Sequence, residues 1–242
     1  QAPEVNIQGE AAFCAGDTVT LAPSEDFAAY LWSNGSTEAD IEAAEAGTYA
    51  LTVTDANGCP ASDAITITEN SLPAPEITGS DFFCAGQETT LQATPGFEAY
   101  EWGNGETVQT LTVSTPGEYS LIVTDSNGCQ GATAFEVGEI ALPQPAIEGA
   151  AQFCPGDSTT LSADAIYAAY AWSTGDTTGS IIVDAPDEIT LTVTNTQGCA
   201  DSTTLAAEWF DTEVPQVDGA PNFCPGTSTQ ISAEAGFAAY QW

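Results

Sequence analysis

Between residues 47 and 54 the chain reads Gly-Thr-Tyr-Ala-Leu-Thr-Val-Thr, an apolar–polar alternation of period two. That period marks a strand with one buried face. Shorter stretches of the same kind occupy residues 4–8, 18–21, 30–32 and 64–68, with a weaker one at 39–41. Turn chemistry separates them: Ala15-Gly16-Asp17, Ser33-Asn34-Gly35-Ser36 and Asp55-Ala56-Asn57-Gly58. Asn-Gly between two strands predicts a tight hairpin with positive φ at both central residues. No stretch has sustained helical periodicity, Ile41 to Ala46 being the weakest exception. Several short strands divided by turns predict an all-β antiparallel sandwich of immunoglobulin-like type.

The pattern then recurs without insertion or deletion. Cys14, Cys84, Cys154 and Cys224 are each 70 residues apart, and Tyr30, Tyr100, Tyr170 and Tyr240 keep the same step. So do Trp32, Trp102, Trp172 and Trp242, and so do Cys59, Cys129 and Cys199. A fixed period of this kind is the signature of an array. The expected repeats are residues 1–71, 72–141 and 142–212, with an incomplete fourth at 213–242. Leu72-Pro73-Ala74-Pro75 and Leu142-Pro143-Gln144-Pro145 open the second and third repeats, and Pro215 the fourth. Proline restricts the backbone to extended conformations, so these short linkers predict modules standing end to end with little freedom. The chain begins at a module's first strand and stops inside one, as a window on a longer protein would.

Charge changes the picture more than size does. There are 35 Asp plus Glu and no Lys, Arg or His, for a formal net charge of −35. No side-chain salt bridge can form, so each carboxylate must be solvated, hydrogen-bonded or bound to a cation. Nucleic acid is excluded as a partner, because phosphate recognition rests on Lys and Arg. An anionic membrane surface is excluded on the same ground, and no apolar run is long enough to span a bilayer. The plain reading is a soluble, self-repelling surface, and the sharper one a polyanion that draws divalent cations from its medium. Lys–Asn isopeptide bonds and trypsin-like cleavage are ruled out together.

Candidate chemistry is sparse. Without His, Ser–His and Cys–His nucleophile systems are excluded. A carboxylate pair can in principle cleave a glycosidic bond, but the acids here lie in turns and many are not kept between copies. Trp32, Trp102 and Trp172 follow their Tyr by two places and so share its strand face. They are expected as core anchors, with an aromatic platform for a sugar ring as the alternative. Asp55 with Asn57, and Asp125 with Asn127, are weak calcium candidates: they resemble the start of an acidic calcium loop. The later carboxylate ligand is missing, and the third copy reads Asn195-Thr196-Gln197-Gly198. No cofactor is required by any of these features.

The seven cysteines fit an oxidising, extracellular setting. Two pairings stay open. Within a copy, Cys14–Cys59, Cys84–Cys129 and Cys154–Cys199 would join positions 45 residues apart. In a sandwich of the expected strand order those positions lie at opposite ends of the last strand, beyond the roughly 7 Å that a disulfide tolerates. End-to-end stacking instead brings Cys14 to Cys129 and Cys84 to Cys199, which the strand order narrowly favours. Cys59, Cys154 and Cys224 would then need partners elsewhere.

Phe13-Cys14-Ala15-Gly16-Asp17, Tyr30-Leu31-Trp32-Ser33-Asn34-Gly35 and Gly47-Thr48-Tyr49 running to Asn57-Gly58-Cys59 recur through the chain. They resemble the immunoglobulin-like and PKD-like repeats of giant secreted surface proteins of Bacteroidota. That resemblance implies an extended β-sandwich array outside the cell, in gliding adhesins, surface filaments or spacer regions of secreted hydrolases, commonly exported by type IX secretion. The third copy has Asp187-Glu188-Ile189 where Gly-x-Tyr is expected, so no tyrosine-corner hydrogen bond is expected there. The function expected from these features is a structural shaft segment whose partners are other copies of the same chain. The alternative is a carbohydrate-binding or spacer module of a secreted hydrolase.

Overall fold

The computed structural model describes residues 3–210, 216–219, 222, 224–236, 239 and 241. Pro215, Tyr240 and Trp242 lie outside the described residues. The chain divides into two compact units, Gln1–Ala141 and Leu142–Trp242.

The first unit begins with strands β1 (Ile7–Gln8), β2 (Ala12–Cys14), β3 (Val19–Pro23), β4 (Ala29–Trp32), β5 (Ile41–Ala43), β6 (Gly47–Thr54) and β7 (Pro60–Asn70). They form two sheets, ordered β1-β3-β5 and β2-β7-β6-β4. All pairs are antiparallel except β2 with β7, which run parallel with Cys14 opposite Asn70. This is an immunoglobulin-like sandwich whose leading strand is split between the two sheets. The same plan returns in β8 (Ile77–Thr78), β9 (Phe82–Cys84), β10 (Thr89–Ala93), β11 (Ala99–Trp102), β12 (Thr110–Val113), β13 (Gly117–Thr124) and β14 (Gln130–Ile140).

In the second unit it returns in β15 (Ile147–Glu148), β16 (Gln152–Phe153), β17 (Thr159–Ala163), β18 (Ala169–Trp172), β19 (Ser180–Val183), β20 (Asp187–Thr194) and β21 (Ala200–Trp209). A two-stranded piece, β22 (Val217–Gly219) with β23 (Ile231–Ala233), follows.

Each sandwich has its own core. In the first, Leu21, Trp32, Leu51, Val53 and Ile67 are buried between the sheets, and the other two repeat this set with small changes. The alternation explains it: in β6 the residues at 51 and 53 turn inward while 50 and 52 face water.

Three sequence expectations need correction. The Asn-Gly hairpins do not place two residues at positive φ, since no described non-glycine residue has one. Gly58 N–H donates to the Asp55 carbonyl at 3.0 Å and Asp55 N–H to the Cys59 carbonyl at 3.0 Å. This is a three-residue loop in which the glycine alone takes the left-handed conformation, at φ 86°. Gly35 is placed the same way at φ 87°. Residues 4–8 do not form one continuous first strand: only Ile7–Gln8 pair, and the chain then crosses to the other sheet as β2. That crossing places Cys14 at a strand end rather than in a turn. The last strand is also longer than its alternating segment, reaching from Pro60 to Asn70.

The tyrosine corner is present in two copies. The Tyr49 hydroxyl donates to the Glu45 carbonyl at 3.0 Å and that of Tyr119 to the Thr115 carbonyl at 2.6 Å. The third copy replaces the bond with a buried Ile189.

Candidate functional site

The strand order brings chemistry-bearing residues together where the first sandwich meets the second. Cys14, at the end of β2, forms a disulfide with Cys129, at the head of β14, with a Cα–Cα distance of 5.5 Å. The bond therefore joins consecutive modules. The pairings within copies (Cys14–Cys59, Cys84–Cys129, Cys154–Cys199) are not formed: Cys59 and Cys154 are free thiols, as is Cys224. Cys84 and Cys199 are both disulfide-bonded. The reason is distance. Cys59 precedes the first residue of β7 and Cys14 lies opposite its last. Eleven strand residues at about 3.3 Å each separate them by roughly 36 Å.

Two local devices pose the joint. The β13–β14 hairpin is tied by the Asp125 carboxylate, whose Oδ1 accepts the N–H groups of Asn127 and Cys129 at 2.9 Å each. Cys129, held at the end of this turn, is only 1% exposed. The hollow around the bridge is lined by Cys14, Ala15, Asp17, Leu72, Gly128 and Gln130.

The second device is Gly131. A Cβ there would lie 1.9 Å from the Pro73 carbonyl oxygen and 2.8 Å from its carbon. Glycine is needed for close backbone approach, not for an unusual φ. The linker thus lies directly against β14. The same position carries Ala61 in the first copy and Asp201 in the third. Gly131→Ala is expected to push the linker off the second sandwich at a cost of about 1–3 kcal/mol. Faster reduction of Cys14–Cys129 by dithiothreitol and a lower melting temperature would show it. Unchanged reduction kinetics would mean the contact is dispensable.

The calcium candidates are occupied by the fold itself. Asp55 Oδ1 accepts the N–H of Asn57 and of Cys59, each at 2.8 Å, and Asn57 Nδ2 reaches Asp55 Oδ2 at 3.4 Å. Asn195 makes the same two backbone contacts, from Gln197 and Cys199, at 3.0 and 2.9 Å. An uncharged amide can stand in the position, so the role is to close a turn. Among the described residues no group of three or more His, Cys, Asp or Glu is placed to hold a metal ion.

The Cys59 N–H, first among its partners, holds the Asp55 carboxyl below its ordinary pKa. A depressed folded pKa contributes stability that is present above the unfolded value, near 4, and lost as pH falls through the folded one. Asp55→Asn keeps the acceptor and removes the titration. It should flatten the acid limb of the first sandwich's stability curve and leave the neutral-pH melting temperature nearly unchanged. A large loss at pH 7 would contradict this. Glu42 is lowered likewise by the hydroxyls of Thr20 and Thr18, and Asp164 by the N–H of Ala146 and the hydroxyl of Tyr167.

Trp32, Trp102 and Trp172 are 1%, 1% and 4% exposed. Their indole N–H groups donate to the carbonyls of Glu38, Val108 and Thr178 at 3.0, 2.7 and 2.8 Å. None of these three indole faces is open to a sugar ring. Tyr30, Tyr100 and Tyr170 pack edge-on against Phe27, Phe97 and Tyr167.

The fold and joint define a tandem array of immunoglobulin-like sandwiches. No protein-family profile matches the sequence, and no curated protein does. Among solved structures, the chain is similar to part of a 1.5-MDa bacterial ice-binding adhesin, at 14% identity and TM-score 0.38, covering 86% of this chain and 98% of that one. It is also similar to the N-terminal four immunoglobulin domains of Dscam1, at 13% identity and TM-score 0.25, covering 86% and 73%. A third is a Bacteroides ovatus SGBP-B in complex with a mixed-linkage heptasaccharide, at 15% identity and TM-score 0.21, covering 90% and 69%.

Proposed function

We propose that this chain is a structural shaft segment of a long extracellular filament or cell-surface adhesin. The single observation that carries the reading is the covalent joint: consecutive sandwiches are bonded through Cys14–Cys129, and the linker between them is packed at Pro73 against Gly131. A chain that needs only a flexible tether between domains has no use for either. The disulfides belong to an oxidising compartment, which supports a place outside the cell. The resemblance to Bacteroidota surface repeats supports export by type IX secretion and roles in attachment, gliding or contact with prey.

The partners of a shaft are other copies of the same chain. With no positive side chains, such copies approach closely only when cations screen them. The task is reach and strength, not turnover. Electron microscopy of the secreted material tests the reading: rods or fibres are expected, and compact particles would overturn it. A glycan array with the purified chain tests the carbohydrate-binding alternative, which requires specific retention that a shaft does not show.

A further inference from the structure

We propose that the Cys14–Cys129 bridge is a load bypass. When the two ends of the first unit are pulled apart, tension runs through β1 and β2, across the disulfide and down β14, and residues 15–128 lie off that route. Its biological meaning rests on the shaft reading, but the path itself follows from connectivity. The bonded cysteines are 115 residues apart in sequence, so the bridge closes a loop that contains β3 to β13. A pull between the ends of the unit follows the shortest covalent route, and that route skips the loop.

What remains on the route is already taut. In the second sandwich it is β14 alone, which runs from the hairpin at Cys129 to Ile140 between β13 and β9. A strand rises about 3.3 Å per residue against a limit near 3.6 Å, so β14 can lengthen by only about a tenth. In the first sandwich the route is β1 and β2, and their bonds lie across the direction of pull. Ile7 and Gln8 pair with β3, while residues 12–14 pair in parallel with β7. Further bonds join Ile7 N–H to Asp63 Oδ2 at 2.8 Å, Thr68 N–H to the Ala11 carbonyl at 3.0 Å and Ala15 N–H to the Asn70 carbonyl at 2.8 Å. These must shear together instead of opening one at a time. With the bridge, about 27 residues can be drawn out, to roughly 95 Å; without it, the whole unit can extend to roughly 490 Å.

Single-molecule force spectroscopy on the full chain, with handles attached at positions 4 and 141, tests the proposal. In the oxidised protein the fully stretched length between handles should stay below roughly 100 Å. Adding reductant, or the double substitution Cys14→Ser and Cys129→Ser, should raise it by roughly 400 Å. The reductant arm uses the unaltered sequence, so a folding defect in the variant cannot mimic the result. Equal lengths with and without the bridge, or several hundred ångströms released from oxidised protein, would overturn the bypass. Compact particles by microscopy would remove the shaft and leave this measurement standing.

Discussion

Trp102→Ala will unfold the second sandwich or bring it to the edge of unfolding. The indole is fully enclosed, its N–H bonded to the Val108 carbonyl. Truncating a buried Trp costs about 3–5 kcal/mol, and removal of the N–H leaves that carbonyl without its partner. A domain of this size has a total stability of only roughly 4–10 kcal/mol. The loss is therefore comparable with everything the module has. The first and third sandwiches keep separate cores, so calorimetry should show one transition shifted strongly downward while the others persist. Near-ultraviolet circular dichroism should lose the matching part of its tryptophan signal. A melt identical to the parent's would refute the role of the indole as packing centre.

Loss of the joint has the second large effect. A loop of about 100 residues closed by a disulfide restricts the unfolded chain by roughly 5 kcal/mol. Replacing Cys14 and Cys129 by Ser should lower the guanidinium midpoint of the first two sandwiches together. Neither cysteine belongs to the packed apolar cluster of its module, so native strand content by far-ultraviolet circular dichroism should survive in buffer. A midpoint unchanged within error would mean that the modules fold without reference to the staple. Free-thiol labelling of the parent protein should meanwhile modify Cys59, Cys154 and Cys224, which are exposed and unbonded.

Much of this architecture can be read from the one-dimensional pattern. The alternation at residues 47–54 coincides with β6 residue for residue, because inward and outward facing is a nearest-neighbour property of a pleated strand. The Trp positions are legible for a related reason: a large apolar side chain recurring two places after Tyr must share its face. Hairpin positions were visible too, but the turn type was not. Asn-Gly is compatible with several loops, and the choice was made by the Asp55 carboxylate holding two N–H groups of the loop. The short β2 strand had no local signal at all. Ala12-Phe13-Cys14 becomes a strand only because β7 offers it a free edge in parallel.

The candidate site divides the same way. Cysteine spacing together with an assumed strand order led to two competing pairings. Nothing local distinguishes Cys59 from Cys129, which sit in hairpins built alike. The difference is that Cys129 has Cys14, at the end of β2 in the preceding sandwich, against it, whereas Cys59 is exposed and unbonded. Gly131 was invisible as well, since its reason is a carbonyl of Pro73, far off in sequence and pressed against it in space.

The amino-acid order alone thus determined the period, the strands, the aromatic cores and a surface of a single charge sign, because each depends on residues a few positions apart or on composition. Only the tertiary structure decided which cysteines bond, where β2 pairs and how closely the linker packs. Those depend on contacts between residues from 56 positions apart (Ala12 with Thr68) to 115 (Cys14 with Cys129), and contacts at such separations leave no periodic trace in the chain.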